Sequence, residues 1–306
     1  MTSNAISDVI SFAEKLGCCC LVNEPLSKHT TFKVGGPCKV AVLANSENSI
    51  ASVLKFCTDN DIKTLVIGNG SNLLVSDEGF DGVVIIISKD FQGLTLVDET
   101  TIEAKAGCTL TQLCTFAMNN SLTGLEFAYG IPGTVGGGVF MNAGAYDGEI
   151  SDVIVSAQAV DFNGKVMTFT AQQMELGYRK SVFHDIDCVI TKAVFKLKKG
   201  DKRVIKEKMD DLMQRRKSKQ PLEYPSAGST FKRPTRNFAG KLIDECGLRG
   251  YTVGGAQVSE KHCGFVINKD NASFDDILTL IKNVQNIVFE KTGYCLECEV
   301  KIIDNQ

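Results

Sequence analysis

The 306-residue chain has no tryptophan and only 3 histidines and 6 prolines. His29, His184 and His262 lie far apart in the sequence, so no histidine pair stands at zinc-ligand spacing. Positive charge is not in excess either. With 33 Lys and Arg against 36 Asp and Glu, the formal charge is -3, which leaves no surplus cation to neutralise a nucleic-acid backbone or an anionic membrane. Neither nucleic acid nor membrane is therefore expected as a partner. Long apolar runs are missing too. The longest aliphatic stretch, Val83 to Ile87, falls far short of the roughly 20 residues of a spanning helix. No internal repeat and no low-complexity tract occurs, which excludes a solenoid.

Cysteine, by contrast, is abundant at 12 residues. Residues 1–17 have no basic start, carry Asp8 and Glu14, and space Ile6, Val9, Ile10, Ala13 and Leu16 at helical intervals. They read as a docking helix rather than a signal peptide, which predicts a cytoplasmic protein with free, buried thiols. Cys18-Cys19-Cys20 and the C-x-x-C of Cys295 and Cys298 have no second ligand pair. In YCLECEVKII (294–303), strand alternation puts Leu296, Cys298, Val300 and Ile302 on one face and Cys295, Glu297, Glu299 and Lys301 on the other. The two thiols then point apart, and no metal site is expected.

Residues 46–68 predict a helix capped by Ser46, with Ile50, Val53, Leu54 and Cys57 inward, followed by a strand over 62–67. Strands are predicted at 83–87, 94–97 and 101–106, then a helix with Leu110, Leu113, Cys114, Ala117 and Met118 on one face. A hairpin is expected over 153–169 around Asn163-Gly164, and a further strand from Cys188 to Leu197. The charged break at 198–203 leads into a helix with Ile205, Met209, Leu212 and Met213 inward, and the main domain boundary is placed near residue 200. A long helix with Phe274, Ile277, Leu278, Ile281, Val284 and Val288 inward and a terminal strand complete the second part.

Two glycine-rich segments carry the chemistry. In LVIGNGSNLLV a strand runs into Gly68-Asn69-Gly70-Ser71-Asn72, where two glycines let backbone N–H groups converge as an anion nest. Leu73 stands where the dinucleotide fingerprint needs a third glycine, and Gly240-Lys241-Leu242 lacks the Ser or Thr of a nucleotide P-loop. Residues 124–150, GLEFAYGIPGTVGGGVFMNAGAYDGEI, contain glycine repeatedly but hardly any charge between Glu126 and Asp147. Such a stretch suits either a large ligand or a buried crossover that needs close backbone approach.

These segments, together with HTTFKVGG (29–36), YRKSVF (178–183), PSAGSTFKRP (225–234), FAGKLIDECGLRG (238–250) and LECEVKII (296–303), resemble the UDP-N-acetylenolpyruvoylglucosamine reductase family over nearly the whole chain. The resemblance is to the shorter subtype, and departs from it at Pro234–Asn237, where relatives often carry glycine at the third position. It implies an α+β protein. A vanillyl-alcohol-oxidase-type FAD-binding domain of two α/β subdomains (1–200, divided near residue 90) would precede a smaller α+β substrate-binding domain (201–306) whose C-terminal strand returns to the active site. It also implies noncovalent FAD, NADPH as reductant, UDP-N-acetylglucosamine enolpyruvate as small-molecule substrate and a monomer. Two other functions stay open on the residues alone: an FAD oxidase or dehydrogenase of the same fold with another substrate, and a non-redox sugar-nucleotide binding protein.

By the resemblance, FAD would contact Gly68, Asn69, Gly70, Ser71, Asn72, Leu73, Gly130, Ile131, Pro132, Gly133, Thr134, Gly136, Gly137, Asn142, Ala143 and Gly144. Catalysis would fall to Arg179, which holds the substrate carboxylate, Ser229, which donates a proton, and Glu299, which assists the enolate. Reduction of an enolpyruvyl ether needs such a donor and such polarising groups. The residues alone would equally allow Arg179 as a surface arginine, Ser229 as a turn serine and Glu297 in place of Glu299. Tyr178, Lys232, Arg233, Lys217 and Gln257 are candidate substrate contacts, with Arg215, Gln220 and His262 as weaker ones, while His29 reads as structural.

Overall fold

The computed structural model describes residues 3–87 and 89–304. Helix α1 (Ser3–Lys15) and helix α2 (Glu47–Asp59) form where the apolar spacing places them. Val9 and Ala13 on α1 and Ile50, Val53, Leu54 and Cys57 on α2 are buried, and Phe12 stacks on Phe56 with ring centroids 4.6 Å apart. Ser46 starts α2 by accepting the Ser49 N–H while the Ser49 hydroxyl oxygen accepts the Ser46 N–H, each at 3.1 Å. Two of the four N–H groups that a helix start leaves unpaired are thereby satisfied.

The chain divides into two compact units. The first comprises residues 1–23, 39–69 and 81–215 and holds a four-stranded and a five-stranded sheet beside two short two-stranded pairings. In the four-stranded sheet, Cys19–Val22 pairs antiparallel with Cys38–Leu43, and Phe80–Ile86 follows and pairs parallel with Thr64–Ile67. The five-stranded antiparallel sheet runs in the order Val166–Thr170, Ile154–Asp161, Cys188–Lys196, Thr101–Lys105, Leu94–Asp98. The predicted hairpin closes with Val160 opposite Val166. Its turn is fixed by the Asp161 carboxylate, which accepts the N–H groups of Asn163 and Lys165 at 2.9 and 2.8 Å. Helix α3 (Leu110–Asn119) and the short glycine-rich helix α4 (Val135–Phe140) start at Thr109 and Thr134, whose hydroxyls cap them. One core serves this unit, and Ile205 and Met209 of helix α5 (Lys202–Lys219) belong to it.

The second unit comprises residues 24–38, 70–80 and 216–306, so the division falls inside α5. Sequence reading places the main boundary near residue 200, with a subdivision near residue 90, and does not separate the two earlier segments. They join the second unit because Phe32, Val34 and Leu74 bury in its core. In addition, Leu73–Val75 pairs in parallel with the C-terminal strand Lys301–Ile303. The two segments also pack backbone on backbone. A Cβ on Gly36 would lie 1.9 Å from the Asp77 carbonyl oxygen, and one on Gly79 would lie 1.8 Å from that of Pro37. Only glycine permits that approach, which accounts for the glycine pair ending HTTFKVGG.

Helix α6 (Ala239–Glu245) and helix α7 (Phe274–Thr292) complete this core. Leu280 is buried on α7, whereas Leu278 is only partly so. The C-terminal stretch differs from the expected continuous strand. Only Lys301–Ile303 is a named strand, and the alternation slips after Val300, so that Ile302 is exposed at 38% and Ile303 is buried. The slip follows from a change of partner: Cys298 bridges to Phe231, while Lys301 onward pairs with Leu73 onward.

At the start of α7 the Asp276 carboxylate accepts N–H groups from Ser273 and Gly255 at 3.0 and 3.1 Å. The Ser273 bond and then the Gly255 bond hold its pKa below the ordinary carboxylate value. A lowered carboxylate pKa stabilises the fold above the unfolded-state value and loses that contribution as pH falls through the folded-state one. Asp276→Asn should therefore lower the urea midpoint more at pH 7 than at pH 3, and equal losses at both pH values would exclude the charge as the cause.

Candidate active site

In the first unit the two glycine-rich segments meet. The strand Thr64–Ile67 delivers Gly68 and Asn69 to the turn that precedes α4. There the Asn69 amide donates to the Pro132 carbonyl at 2.8 Å, and a Cβ on Gly68 would lie 2.4 Å from the Thr134 hydroxyl. The glycines of α4 divide by direction. Gly136 and Gly138 face inward, where an added Cβ would meet Ala106 at 2.9 Å and Leu110 at 3.1 Å respectively, whereas Gly137 is exposed and would meet only the Thr134 hydroxyl at 3.5 Å. Pro132 is likewise exposed, and Ile131, Gly133, Ala143 and Gly144 are half-buried. A packed face and an exposed face thus lie on opposite sides of one segment.

Tyr178 and Arg179 are the central residues of a turn closed by reciprocal hydrogen bonds between Gly177 and Lys180 at 3.0 and 3.2 Å. Arg179 holds a left-handed φ of 53°, uncommon for a side chain of that size. Its guanidinium donates to the Gly144 carbonyl at 3.2 Å and lies 5.0 Å from the centre of the Tyr178 ring. Two further bonds tie this turn to the glycine-rich segment. Asn142 donates to the Gly177 carbonyl at 3.0 Å, and the Ser181 hydroxyl donates to the Phe140 carbonyl at 2.6 Å. The Asn142 amide oxygen also accepts from Ser151 at 2.9 Å, so this buried side chain braces the segment from within.

In the second unit, Ser229 is an exposed loop residue held at both ends. On one side the Thr31 hydroxyl donates to the Ser226 carbonyl at 2.7 Å. On the other, Thr230 is buried, its N–H donates to the Gly264 carbonyl at 2.8 Å, and its hydroxyl accepts from Val266 at 2.9 Å. The Thr230 carbonyl accepts the Glu299 N–H at 2.8 Å, and Lys232 donates its N–H to the Glu297 carbonyl at 2.8 Å. Residues 230–232 and 297–299 are therefore antiparallel neighbours, and Ser229 is one residue from the partner of Glu299. The rest of the GNGSN turn lies in this unit. Gly70 accepts the Thr31 N–H at 3.2 Å, and Asn72 donates its side-chain amide to the Glu299 carbonyl at 3.1 Å. Ser71 and Leu73 flank Asn72, and Leu73 opens the strand that pairs with Lys301.

The two candidate glutamates separate here. Glu297 is 71% exposed and forms an ion pair with Lys232, whereas Glu299 is half-buried with its backbone bonded on both sides. Arg233 stacks its guanidinium on Phe238 at 4.7 Å. Gln257 donates to the Gly250 carbonyl and the Thr252 hydroxyl, both at 3.3 Å. Lys217 and Arg215 are exposed on α5, and Gln220 accepts from Arg216 at 3.1 Å. His262 accepts the Gly264 N–H at its Nδ1 at 3.1 Å, and burial pushes its pKa down, which keeps the ring neutral in support of the loop below Ser229. His29 pairs with Glu24 at 3.0 Å. Among the described residues no group of three or more His, Cys, Asp or Glu side chains is placed to hold a metal. Ser181 in the first unit and Thr230 in the second, to which sequence reading gave no role, brace the Arg179 turn and the Ser229 loop respectively. The only sequence signal for them is their place inside AGSTF and YRKS.

The fold is α+β and of the vanillyl-alcohol-oxidase type that binds FAD. An FAD-binding-domain family model matches residues 38–170, and the model described as "UDP-N-acetylenolpyruvoylglucosamine reductase, C-terminal domain" matches residues 220–303. The chain is 45% identical to the UDP-N-acetylenolpyruvoylglucosamine reductase of Caldanaerobacter subterraneus subsp. tengcongensis, over 92% of this chain and 93% of that protein. It is 49% identical to that of Clostridium botulinum, over 94% and 93%. The crystal structure of the Thermus caldophilus enzyme superimposes with a TM-score of 0.77 at 32% identity, covering 94% of this chain and 99% of the other. Glucooligosaccharide oxidase from Acremonium strictum, at a TM-score of 0.50 and 13% identity, shares the fold over 62% of this chain and 42% of its own. The chain belongs to the UDP-N-acetylenolpyruvoylglucosamine reductase family.

An FAD group fits what the first unit offers. The outer side of 131–137 presents Ile131, Pro132 and glycine backbone with no charged side chain, suited to a flat ring system. Gly68 lets the strand end pack directly against the Thr134 side chain, which sets the Gly68–Asn69 turn beside it. Gly136→Ala should destabilise the protein by about 1–3 kcal/mol through overpacking against Ala106. Gly137→Ala should leave apoprotein stability nearly unchanged and weaken FAD binding, as read by fluorescence titration, and equal effects of the two changes would refute the two-sided segment.

Proposed function

We infer that the chain reduces UDP-N-acetylglucosamine enolpyruvate to UDP-N-acetylmuramate, the step that supplies this precursor of peptidoglycan, with noncovalent FAD and with NADPH as reductant. The observation that carries this reading is the pairing of Thr230 with Glu299, which sets the serine loop beside the Glu299 segment. FAD, which the 68–73 turn and residues 130–144 would hold, would supply hydride chemistry at the methylene carbon of the enolpyruvyl ether, with NADPH as its reductant. The side chains handle the charge and the proton. Arg179 pairs with the substrate carboxylate, toward which negative charge builds. Its turn is braced to the glycine-rich segment through Gly144 and Asn142, which fits a group that must hold one orientation.

Ser229 donates the proton to the carbon adjacent to the one that received the hydride. A hydroxyl is a weak acid but is always protonated at neutral pH, and a carbanion-like carbon is basic enough to accept from it once the geometry is set. Glu299 polarises or orders the groups around the enolate. Lys232, Arg233, Lys217, Gln257 and Tyr178 are proposed to contact the nucleotide sugar, with residues 1–200 holding the cofactor and residues 201–306 the substrate. The reading places a monomeric enzyme in the cytoplasm, serving cell-wall growth, shape and division. Among the described residues no helix is long and apolar enough to cross a membrane.

The test is the visible spectrum. NADPH should bleach the flavin, and UDP-N-acetylglucosamine enolpyruvate should restore it, whereas bleaching by an alcohol or hydroxy acid instead would overturn the assignment. Ser229→Ala should leave reduction by NADPH nearly intact and slow reoxidation by substrate roughly 10²-fold or more. Loss of the NADPH half-reaction in that variant would remove Ser229 from proton donation.

A further inference from the structure

The last residue of the GNGSN turn bonds the C-terminal segment that carries Glu299. The Asn72 side-chain amide donates to the Glu299 carbonyl at 3.1 Å, and the Asn72 carbonyl accepts the Lys301 N–H at 2.9 Å. On its other side Glu299 gives its N–H to Thr230 at 2.8 Å. Both backbone groups of Glu299 are thus held, one by the residue after Ser229 and one by the glycine-rich turn. The hold falls where the chain changes partner. Residues 297–299 pair with 230–232, Lys301–Ile303 pairs with Leu73–Val75, and the inward-outward alternation slips between Val300 and Ile302. At this junction between two ladders, the Asn72 side chain holds the Glu299 carbonyl, which neither ladder pairs.

We propose that Asn72 is a positioning residue for Glu299, whose amide fixes the height of that carboxylate against the Ser229 loop, in addition to any contact the turn makes with the cofactor. The proposal rests on the role of Glu299 given above. The bond requires a donor on residue 72. Asparagine supplies one, whereas aspartate has the same shape and at neutral pH carries only acceptors, which would face the Glu299 carbonyl oxygen. A misplacement of catalytic groups by about 1 Å costs up to roughly 10²-fold in rate.

The test is a double-mutant cycle on the two half-reactions of the flavin-loaded enzyme, with hydrogen exchange as a second readout. Asn72→Ala and Asn72→Asp should each slow reoxidation by substrate roughly 10- to 100-fold, a larger loss than either imposes on reduction by NADPH. In a Glu299→Ala background the same changes should cost nothing further, because a residue acting only through another shows no additive effect. Exchange at the Glu299 and Lys301 amides should accelerate in both Asn72 variants. Additive losses in the double variants overturn the positioning role while the Glu299 assignment stands. Equal damage to both half-reactions, or a wild-type rate for Asn72→Asp, also overturns it. A wild-type reoxidation rate in Glu299→Ala overturns the reading of Glu299 and the positioning role with it.

Discussion

The hydrogen bond from the Glu299 N–H to the Thr230 carbonyl is the constraint on which the arrangement of the Ser229 loop and the Glu299 segment depends. It joins a loop near residue 230 to a strand at the end of the chain, and neither segment has a regular partner of its own at that point. The surrounding bonds lead to the same place. The buried Thr230 hydroxyl anchors Val266, the Thr31 hydroxyl secures Ser226, and Asn72 takes the other side of Glu299. An exposed serine on a glycine-flanked loop would otherwise sample many orientations, and a weak acid gains from being held in one. The ordering is supplied by backbone and hydroxyl groups, none of which titrates near neutral pH.

A different constraint governs the first unit. A segment that must press its backbone against the core on one side and leave bare backbone on the other can carry almost no side chains. The glycines at 136, 137 and 138 answer both demands within a single turn of α4. Braces come from residues whose polar groups are fully engaged within the protein, such as Asn142, which bonds Gly177 and Ser151 and so transmits the position of the segment to the turn that presents Arg179. The left-handed backbone of Arg179 persists because its neighbours on either side are pinned by the Gly177–Lys180 pair, the kind of local strain that surrounding structure must over-determine.

Local order was largely legible in the amino-acid sequence, because it depends on short-range periodicity and caps. Ser46, the apolar face of α2, the hairpin around Asn163-Gly164 and the inward face of α7 all follow from spacing within a few residues. What could not be read is long-range pairing. Nothing local in Phe32 or Leu74 announces that they bury with Ile277 and Val284, and nothing in YCLECEVKII reveals that it changes partner after Val300, which turns Ile303 inward instead of Ile302. The choice between Glu297 and Glu299 shows the limit most clearly. Both occupy one face of an ideal strand, and only the structure shows Glu297 exposed beside Lys232 while the backbone of Glu299 is held on both sides.

The cysteines test the same distinction between composition and geometry. Burial pushes the thiols of Cys20, Cys38, Cys188 and Cys263 up to about 11, and Cys114, the Sγ of which donates to the Leu125 carbonyl at 3.1 Å, is driven higher still. A thiol so raised is protonated at neutral pH and is a poor nucleophile and a poor metal ligand. Cys298, next to Glu299, follows the rule: burial raises its pKa, and its Sγ donates to the Val300 carbonyl at 3.3 Å. A neutral, inward thiol adds no charge beside the carboxylate and helps to hold the turn at Val300. Its position next to a proposed catalytic residue therefore reflects the packing that the change of strand partner requires.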